Sequence, residues 1–126
     1  MKSAEIQSYG NKLQRRLRLN QWAITYHVHQ VTQLIDMDLE NPYACVEYDT
    51  VERTATIHLA QLGEDDAVRE HLRHEMVHIA LAEMCCMFDH VIGRLGAEAQ
   101  DVMRGQHRNA VERAVRDLTD ALADRA

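Results

Sequence analysis

The sequence is poor in residues that interrupt or cross-link a fold. Its 126 residues include one proline, Pro42, and five glycines, and they contain no Pro-rich or Ser-rich linker and no internal repeat. A chain of this length can build one modest core, and its hydrophobic fraction of 46% is typical of globular proteins. We therefore expect a single domain over residues 1–126.

Cysteine and long apolar runs are also scarce. The three cysteines, Cys45, Cys85 and Cys86, are odd in number and two are adjacent, which argues against a disulfide framework. No stretch approaches the roughly 18 apolar residues of a membrane span, and the first ten residues do not resemble a signal peptide. These features predict a cytoplasmic protein with reduced thiols and no membrane partner.

Positive charge is in deficit, since the formal net charge is −6. A surplus of lysine and arginine is what phosphate backbones attract, so the balance argues against a nucleic-acid partner. One basic run, KLQRRLRL at residues 12–19, lies in a predicted helix. We interpret it as a solvated helix face, with a site for an anionic partner as the alternative.

Periodicity predicts an α+β fold. The expected elements are an N-terminal helix over residues 3–19, strands at 21–31, 43–49 and 54–60, a long helix over 65–88, a glycine-containing loop, and a last helix over 109–124. The polar stretch between the last two strands suits a hairpin. The small sheet of about three strands should therefore pack against the helices.

The long helix carries the stretch RHEMVHIALAEM at residues 73–84. At 100° per residue, one arc of about 100° holds four side chains: His71, His74, Glu75 and His78. An adjoining apolar stripe consists of Val68, Leu72, Met76, Ile79 and Cys86. Beyond Met76 the helix is apolar nearly all round, so we expect its second half to be enclosed.

The spacing of the two histidines suits a metal ion. Imidazoles four residues apart on a helix can both reach one Zn²⁺ at about 2.0–2.1 Å. Glu75 points to the same side and could take a proton from a water molecule on the ion. The alternative is structural, with His74 and His78 hydrogen-bonded in the core and Glu75 paired with an arginine.

With this motif the sequence resembles the zincin metallopeptidases, in particular small phage- or prophage-type and SprT-like domains. The resemblance rests on HEMVH at residues 74–78 and on the order of strands, motif helix and further helix. It implies a minimal zincin-like domain that hydrolyses peptide bonds in a peptide or protein substrate. It also implies zinc held by His74 and His78, Glu75 as the general base, and a substrate paired to residues 54–60 as an edge strand.

A catalytic zinc ion normally has a third protein ligand. Leu81 and Met84 stand where the extended motif HExxHxxGxxH requires glycine and histidine, so that form is excluded. A gluzincin-like glutamate from the last helix remains, and Glu112 is the candidate, with His107 as the alternative. Glu112 could instead form a helix capping box with Asn109.

Asp89 and His90 lie too far along the helix to share the ion. The remaining candidates have simpler interpretations. We expect His71 to be an exposed helical histidine, and the strand histidines to lie on a solvent face: His27, His29 and His58. Core positions are expected for Cys85, Cys86, Met84, Met87 and Met103.

A donor to the reaction's oxyanion could be Tyr26, Tyr43, His107 or Arg108. The rival functions are a non-catalytic zinc-binding domain and a metal-free regulatory or scaffold domain.

Overall fold

The computed structural model describes residues 1–30, 43–61 and 63–123. In chain order these ranges contain α1 (Ser3–Arg16), β1 (Ala23–His29), β2 (Ala44–Asp49), β3 (Thr54–Ala60), α2 (Asp65–Ile92) and α3 (Ala97–Ala121). This order confirms the predicted α+β layout. The last residue of the strand expected at residues 21–31 lies outside the described residues.

The two long helices differ most from their predicted limits. α2 continues to Ile92 rather than ending at Phe88, and α3 begins at Ala97 rather than at Asn109. Ile92, the last residue of α2, has a buried side chain, whereas the rest of the last turn is exposed. The Gln100 side chain then donates to the carbonyl oxygens of Gly93 at 3.2 Å and Leu95 at 2.7 Å, which stabilises the short link between the helices.

The sheet has the strand order β1-β3-β2. β1 runs parallel to β3, and β2 pairs antiparallel with β3 through the predicted hairpin. The Asp49 carboxylate accepts hydrogen bonds from the backbone N–H groups of Val51 and Glu52 and so closes that turn. Because β3 is paired on both sides, the expectation that residues 54–60 form an edge strand is wrong.

One face of this sheet forms the core with α1 and α2. Alternation along β3 directs Ala55, Ile57 and Leu59 into the interior, where they meet the predicted stripe of α2. The buried members of that stripe are Val68, Leu72, Met76 and Ile79, and α1 adds Ile6, Tyr9 and Leu13. Burying each large side chain of this kind contributes about 1.5–3 kcal/mol. The basic run is exposed, as expected, at Lys12, Arg15 and Arg16 of α1 and at Arg18 just after it.

The second half of α2 is not enclosed within the described part of the chain. Exposed apolar side chains include Met84, Met87, Phe88, Val91 and, on α3, Met103; Cys86 is exposed and Cys85 half-buried. The prediction of core positions is therefore wrong for Met84, Met87, Met103 and Cys86, and Cys85 is only partly buried. A helix of 28 residues is about 42 Å long, whereas a strand of seven residues spans only about 23 Å. The sheet therefore covers only about half of α2.

No helix in the described ranges has a stretch long and apolar enough to span a bilayer.

Gly10 marks a close approach between α1 and β1. A Cβ atom added there would overlap the Tyr26 ring, with Cε1 at 2.8 Å. Tyr26 is half-buried, and burial raises the pKa of its hydroxyl to about 12. The absence of a side chain at Gly10 therefore allows α1 to pack against this ring.

We predict that Gly10→Ala lowers the free energy of unfolding. Overpacking costs about 1–3 kcal/mol, and the better helix propensity of alanine, about 0.5–1 kcal/mol, offsets only part of that. Gly105→Ala in α3 is the matched control, because a Cβ there has no neighbour within 4 Å. Urea denaturation should show a lower free energy of unfolding for Gly10→Ala and a slightly higher one for Gly105→Ala. Equal behaviour of the two variants would contradict the packing argument.

Candidate metal centre

The HEMVH motif lies in the middle of α2, on the side next to the buried stripe. The imidazole rings of His74 and His78 are 5.0 Å apart, as their spacing of one helical turn predicts. Both histidines are half-buried, whereas Glu75 is only 5% exposed. The motif therefore lies at the border between the core and the surface.

α3 returns antiparallel along α2 and places Glu112 beside this motif. Near the link between the helices, Arg104 contacts Asp89. Further back along α2, toward its start, Glu112 contacts His78. The distance from His78 Nε2 to Glu112 Oε1 is 3.7 Å, and the ligand atoms of His74, His78 and Glu112 all lie within 4.8 Å of one another. The structure thus brings together the three residues predicted to bind metal.

This donor set fits a zinc ion. Two imidazoles and one carboxylate are a ligand set of catalytic zinc sites, with bonds of about 2.0–2.2 Å. Such bonds place neighbouring ligand atoms about 3.4 Å apart in a tetrahedral arrangement. The 3.7 Å separation of His78 and Glu112 is close to that value, so small side-chain rotations would complete the geometry.

The capping interpretation of Glu112 is wrong. α3 has Gly96 at its N-cap, so Asn109 and Glu112 lie well inside the helix, where backbone donors are already bonded. The alternative ligand His107 packs its ring 5.4 Å from that of Phe88 and is not part of the cluster. Asp89 accepts a hydrogen bond from Arg104 at 2.8 Å, consistent with its predicted exclusion from the site.

Burial controls the protonation of the motif. Desolvation raises the pKa of Glu75 from 4.5 to about 7, and the charge of Glu112 acts in the same direction. Desolvation also lowers the pKa of His78, with a smaller lowering by His74 and an opposing effect of Glu112. A histidine with a lowered pKa is neutral near pH 7 and offers a lone pair to a metal ion.

The structural interpretation of the motif is not supported at Glu75. Among the described residues, no arginine forms an ion pair with Glu75. Arg73, its neighbour in sequence, donates from Nη1 to the Tyr9 hydroxyl at 3.1 Å. The Glu75 carboxyl group is thus buried beside Glu112 rather than beside a cation.

Tyr43 and Tyr26, two of the candidate oxyanion donors, lie in different parts of the structure. Tyr43 precedes β2, is 43% exposed, and contacts the ring of His71 at 5.6 Å, one turn before His74. His71 is therefore half-buried rather than exposed. The Tyr26 hydroxyl lies against Gly10 of α1. Tyr43 thus lies beside His71 on the motif helix, whereas Tyr26 packs against the core.

Two features near the motif had not been predicted from the sequence. Cys45 of β2 lies close enough to Glu75 and Glu47 that both charges add to the effect of burial in raising its thiol pKa. An apolar groove of about 390 Å³ lies between α2 and α3, with Leu81, Phe88, Met103 and Val111 in its lining. Neither had a local sequence signal, because each depends on contacts between separate elements.

Comparison with family models, with curated proteins and with solved structures finds no match to this chain. The resemblance to zincins therefore stays a prediction based on HEMVH and the element order. The argument for function depends on the geometry of His74, Glu75, His78 and Glu112.

We predict that metal-free protein loses stability as the pH rises from about 4.5 to about 7. In this window the folded chain holds a proton on Glu75 that the unfolded chain has released, so the free energy of unfolding falls, by about 3 kcal/mol at most. Glu75→Gln should remove this decline. Urea denaturation in EDTA across the pH range measures it.

The comparison of wild type with Glu75→Gln isolates this contribution, because the lowered pKa of His78 makes stability rise with pH instead. Glu98→Gln, on an exposed part of α3, is the control and should follow the wild type. Parallel profiles for wild type and Glu75→Gln would contradict the assignment of a raised pKa to Glu75.

We predict that Glu112→Gln weakens zinc binding by on the order of 100-fold, since even residues that only support a ligand contribute about 10–100-fold. His107→Ala should bind zinc as the wild type does, because His107 lies outside the cluster. Competition with a chromophoric chelator measures both affinities. Normal affinity in Glu112→Gln together with a loss in His107→Ala would reverse the ligand assignment.

Proposed function

We propose that this protein is a zinc-dependent peptidase that hydrolyses peptide bonds in a peptide or protein substrate. The observation that carries the proposal is the placement of ligand atoms of His74, His78 and Glu112 within 4.8 Å of one another. The buried carboxyl group of Glu75 lies on the helix that carries the two histidines. Two neutral imidazoles and a carboxylate would hold the ion, and Glu75 would serve as the general base.

Zinc bound there would supply positive charge that polarises a carbonyl group and acidifies a water molecule. Glu75 would accept the proton of the attacking water and pass it to the leaving amine. A general base works best when its pKa lies near the working pH, and burial brings Glu75 to about 7. The tyrosine that contacts the motif helix, Tyr43, is the candidate donor to the oxyanion.

The cluster is built like a site that leaves a coordination position open. Structural zinc sites normally have four protein ligands, whereas catalytic sites have three. In the part of the chain that the structure describes, the cluster holds three candidate ligands. Glu112 is also exposed, with 53% of its side-chain surface accessible, so a substrate could reach it. These features favour catalysis over a purely structural metal site.

The surroundings suit an extended peptide. β2 lies at the edge of the described sheet, antiparallel to β3, and it follows Tyr43 at the motif helix. An extended chain can pair with such an edge through backbone hydrogen bonds. The apolar groove begins at Leu81, one turn beyond His78, and continues on α3 at Val111, next to Glu112. An apolar side chain of the substrate could occupy it.

The proposal predicts about one Zn²⁺ bound with high affinity at this centre. His74→Ala and His78→Ala should each abolish binding here, whereas Glu75→Gln should keep the metal and lose hydrolysis. Metal content after dialysis against a mild chelator and cleavage of a peptide library measure the two properties separately. Glu98→Gln is the control and should retain both.

The outcomes separate the rival functions. Zinc binding at the centre without cleavage of any peptide would favour the non-catalytic zinc-binding domain. Unchanged metal content in the His74→Ala/His78→Ala double variant, measured under conditions that empty weaker sites, would refute the centre itself.

A further inference from the structure

A second group of imidazoles lies on the face of the sheet turned away from the core. We call His27, His29 and His58 the sheet-face histidines. His27 pairs with His58 across the parallel β1–β3 ladder, and His29 lies two residues further along β1 on the same side. Their alternation with the core residues Ile57 and Leu59 places them on the opposite face of β3.

The three rings form a compact cluster. Ring centroids are 5.0 Å apart for His29 and His58, 5.6 Å for His27 and His58, and 6.2 Å for His27 and His29. His29 Nε2 and His58 Nδ1 lie 2.8 Å apart, within hydrogen-bonding distance. One proton must be shared there, because two nitrogen lone pairs or two N–H groups could not form this bond.

Glu47 of β2 determines which nitrogen of His58 is available. Its Oε2 lies 3.4 Å from His58 Nε2, and a carboxylate accepts hydrogen bonds only. A neutral His58 that donates from Nε2 to this carboxylate presents the lone pair of Nδ1 to His29. Metal-binding histidines have this arrangement, in which the outer N–H donates to a carboxylate that orients the ring.

We propose that His29 and His58, supported by Glu47, form a second binding site for an imidazole-preferring divalent transition metal such as Zn²⁺ or Cu²⁺. The ion would take the place of the proton between His29 Nε2 and His58 Nδ1, and neutral His29 would carry that proton on Nδ1 instead, so that both facing nitrogens offer lone pairs. Two ligand nitrogens of a tetrahedral site lie about 3.4 Å apart. The present 2.8 Å separation would thus open by about half an ångström.

His27 provides the third imidazole. Its side chain is exposed, and its ring would have to turn toward the other two, because the three histidines do not hold their ligand atoms as close together as His74, His78 and Glu112 do. His58, in contrast, retains only 12% side-chain exposure and is held in place by its contacts. The site therefore combines one well-oriented ligand, one hydrogen-bonded partner and one adjustable ligand, which predicts weaker binding than at a pre-formed centre.

This site does not depend on the proposed peptidase function, and its test uses metal stoichiometry. Zn²⁺ binding is measured by equilibrium dialysis for wild type, His74→Ala/His78→Ala, His29→Gln/His58→Gln and the fourfold variant. We expect about two ions per chain for the wild type, about one for each double variant and none for the fourfold variant. Circular dichroism checks that each variant is folded.

Glu47→Gln tests the site without removing a ligand. In the His74→Ala/His78→Ala background it should weaken Zn²⁺ binding by about 10–100-fold. Glu52→Gln, an exposed carboxylate in the β2–β3 turn, is the matched control and should have no effect. Visible absorption of bound Co²⁺ in the same background would report nitrogen ligands.

Two results would overturn the inference. One is equal stoichiometry in wild type and folded His29→Gln/His58→Gln. The other is absence of any bound metal in His74→Ala/His78→Ala, which would reduce the cluster to a hydrogen-bonded histidine pair. Because the background variant lacks the first centre, failure here leaves the peptidase proposal intact, and loss of the first centre leaves this one measurable.

Discussion

The packing of α2 against β3 is the contact on which the candidate metal centre depends. Leu72 and Met76 are fully buried, and they meet the inward side chains of β3, including Ile57. Since side chains on a helix are separated by fixed angles, burying this stripe also sets the direction of His74 and His78. The core thus orients the candidate metal ligands through the helix that carries them.

The same burial determines the chemistry of the motif. Glu75 lies next to the stripe and is nearly inaccessible, so its charged form loses hydration and its pKa rises to about 7. His78 is affected by the same desolvation and stays neutral more readily. A carboxyl group with a pKa near neutrality and an imidazole with a lowered pKa therefore follow from one constraint, which is the depth at which α2 is packed.

The antiparallel return of α3 completes the arrangement. A link of only a few residues after Ile92 brings the two helices side by side, and Glu112 reaches His78 from the neighbouring helix. The sheet uses a different geometry to gather histidines, because residues two apart on a strand share a face and parallel register aligns His27 with His58. Helical and strand periodicity thus produce two separate imidazole clusters in one small fold.

Much of the fold and part of the site could be predicted from local pattern. The β-rich run at residues 54–60 identified β3, and the helical spacing of HEMVH placed His74, Glu75 and His78 on one arc, because both signals lie within a single element. The start of α3 was missed because Gly105 and the polar residues before Asn109 gave no clear apolar period.

The sequence by itself determined the elements, their order and the three neighbouring residues of the motif. Only the tertiary structure decided that β3 is central, that Met84 and Met87 are exposed, and that Glu112 rather than His107 lies at the cluster. The physical reason is the sequence distance over which each feature is determined. Periodicity is set within one element, whereas strand pairing, burial and the contact between α2 and α3 depend on how separate elements pack.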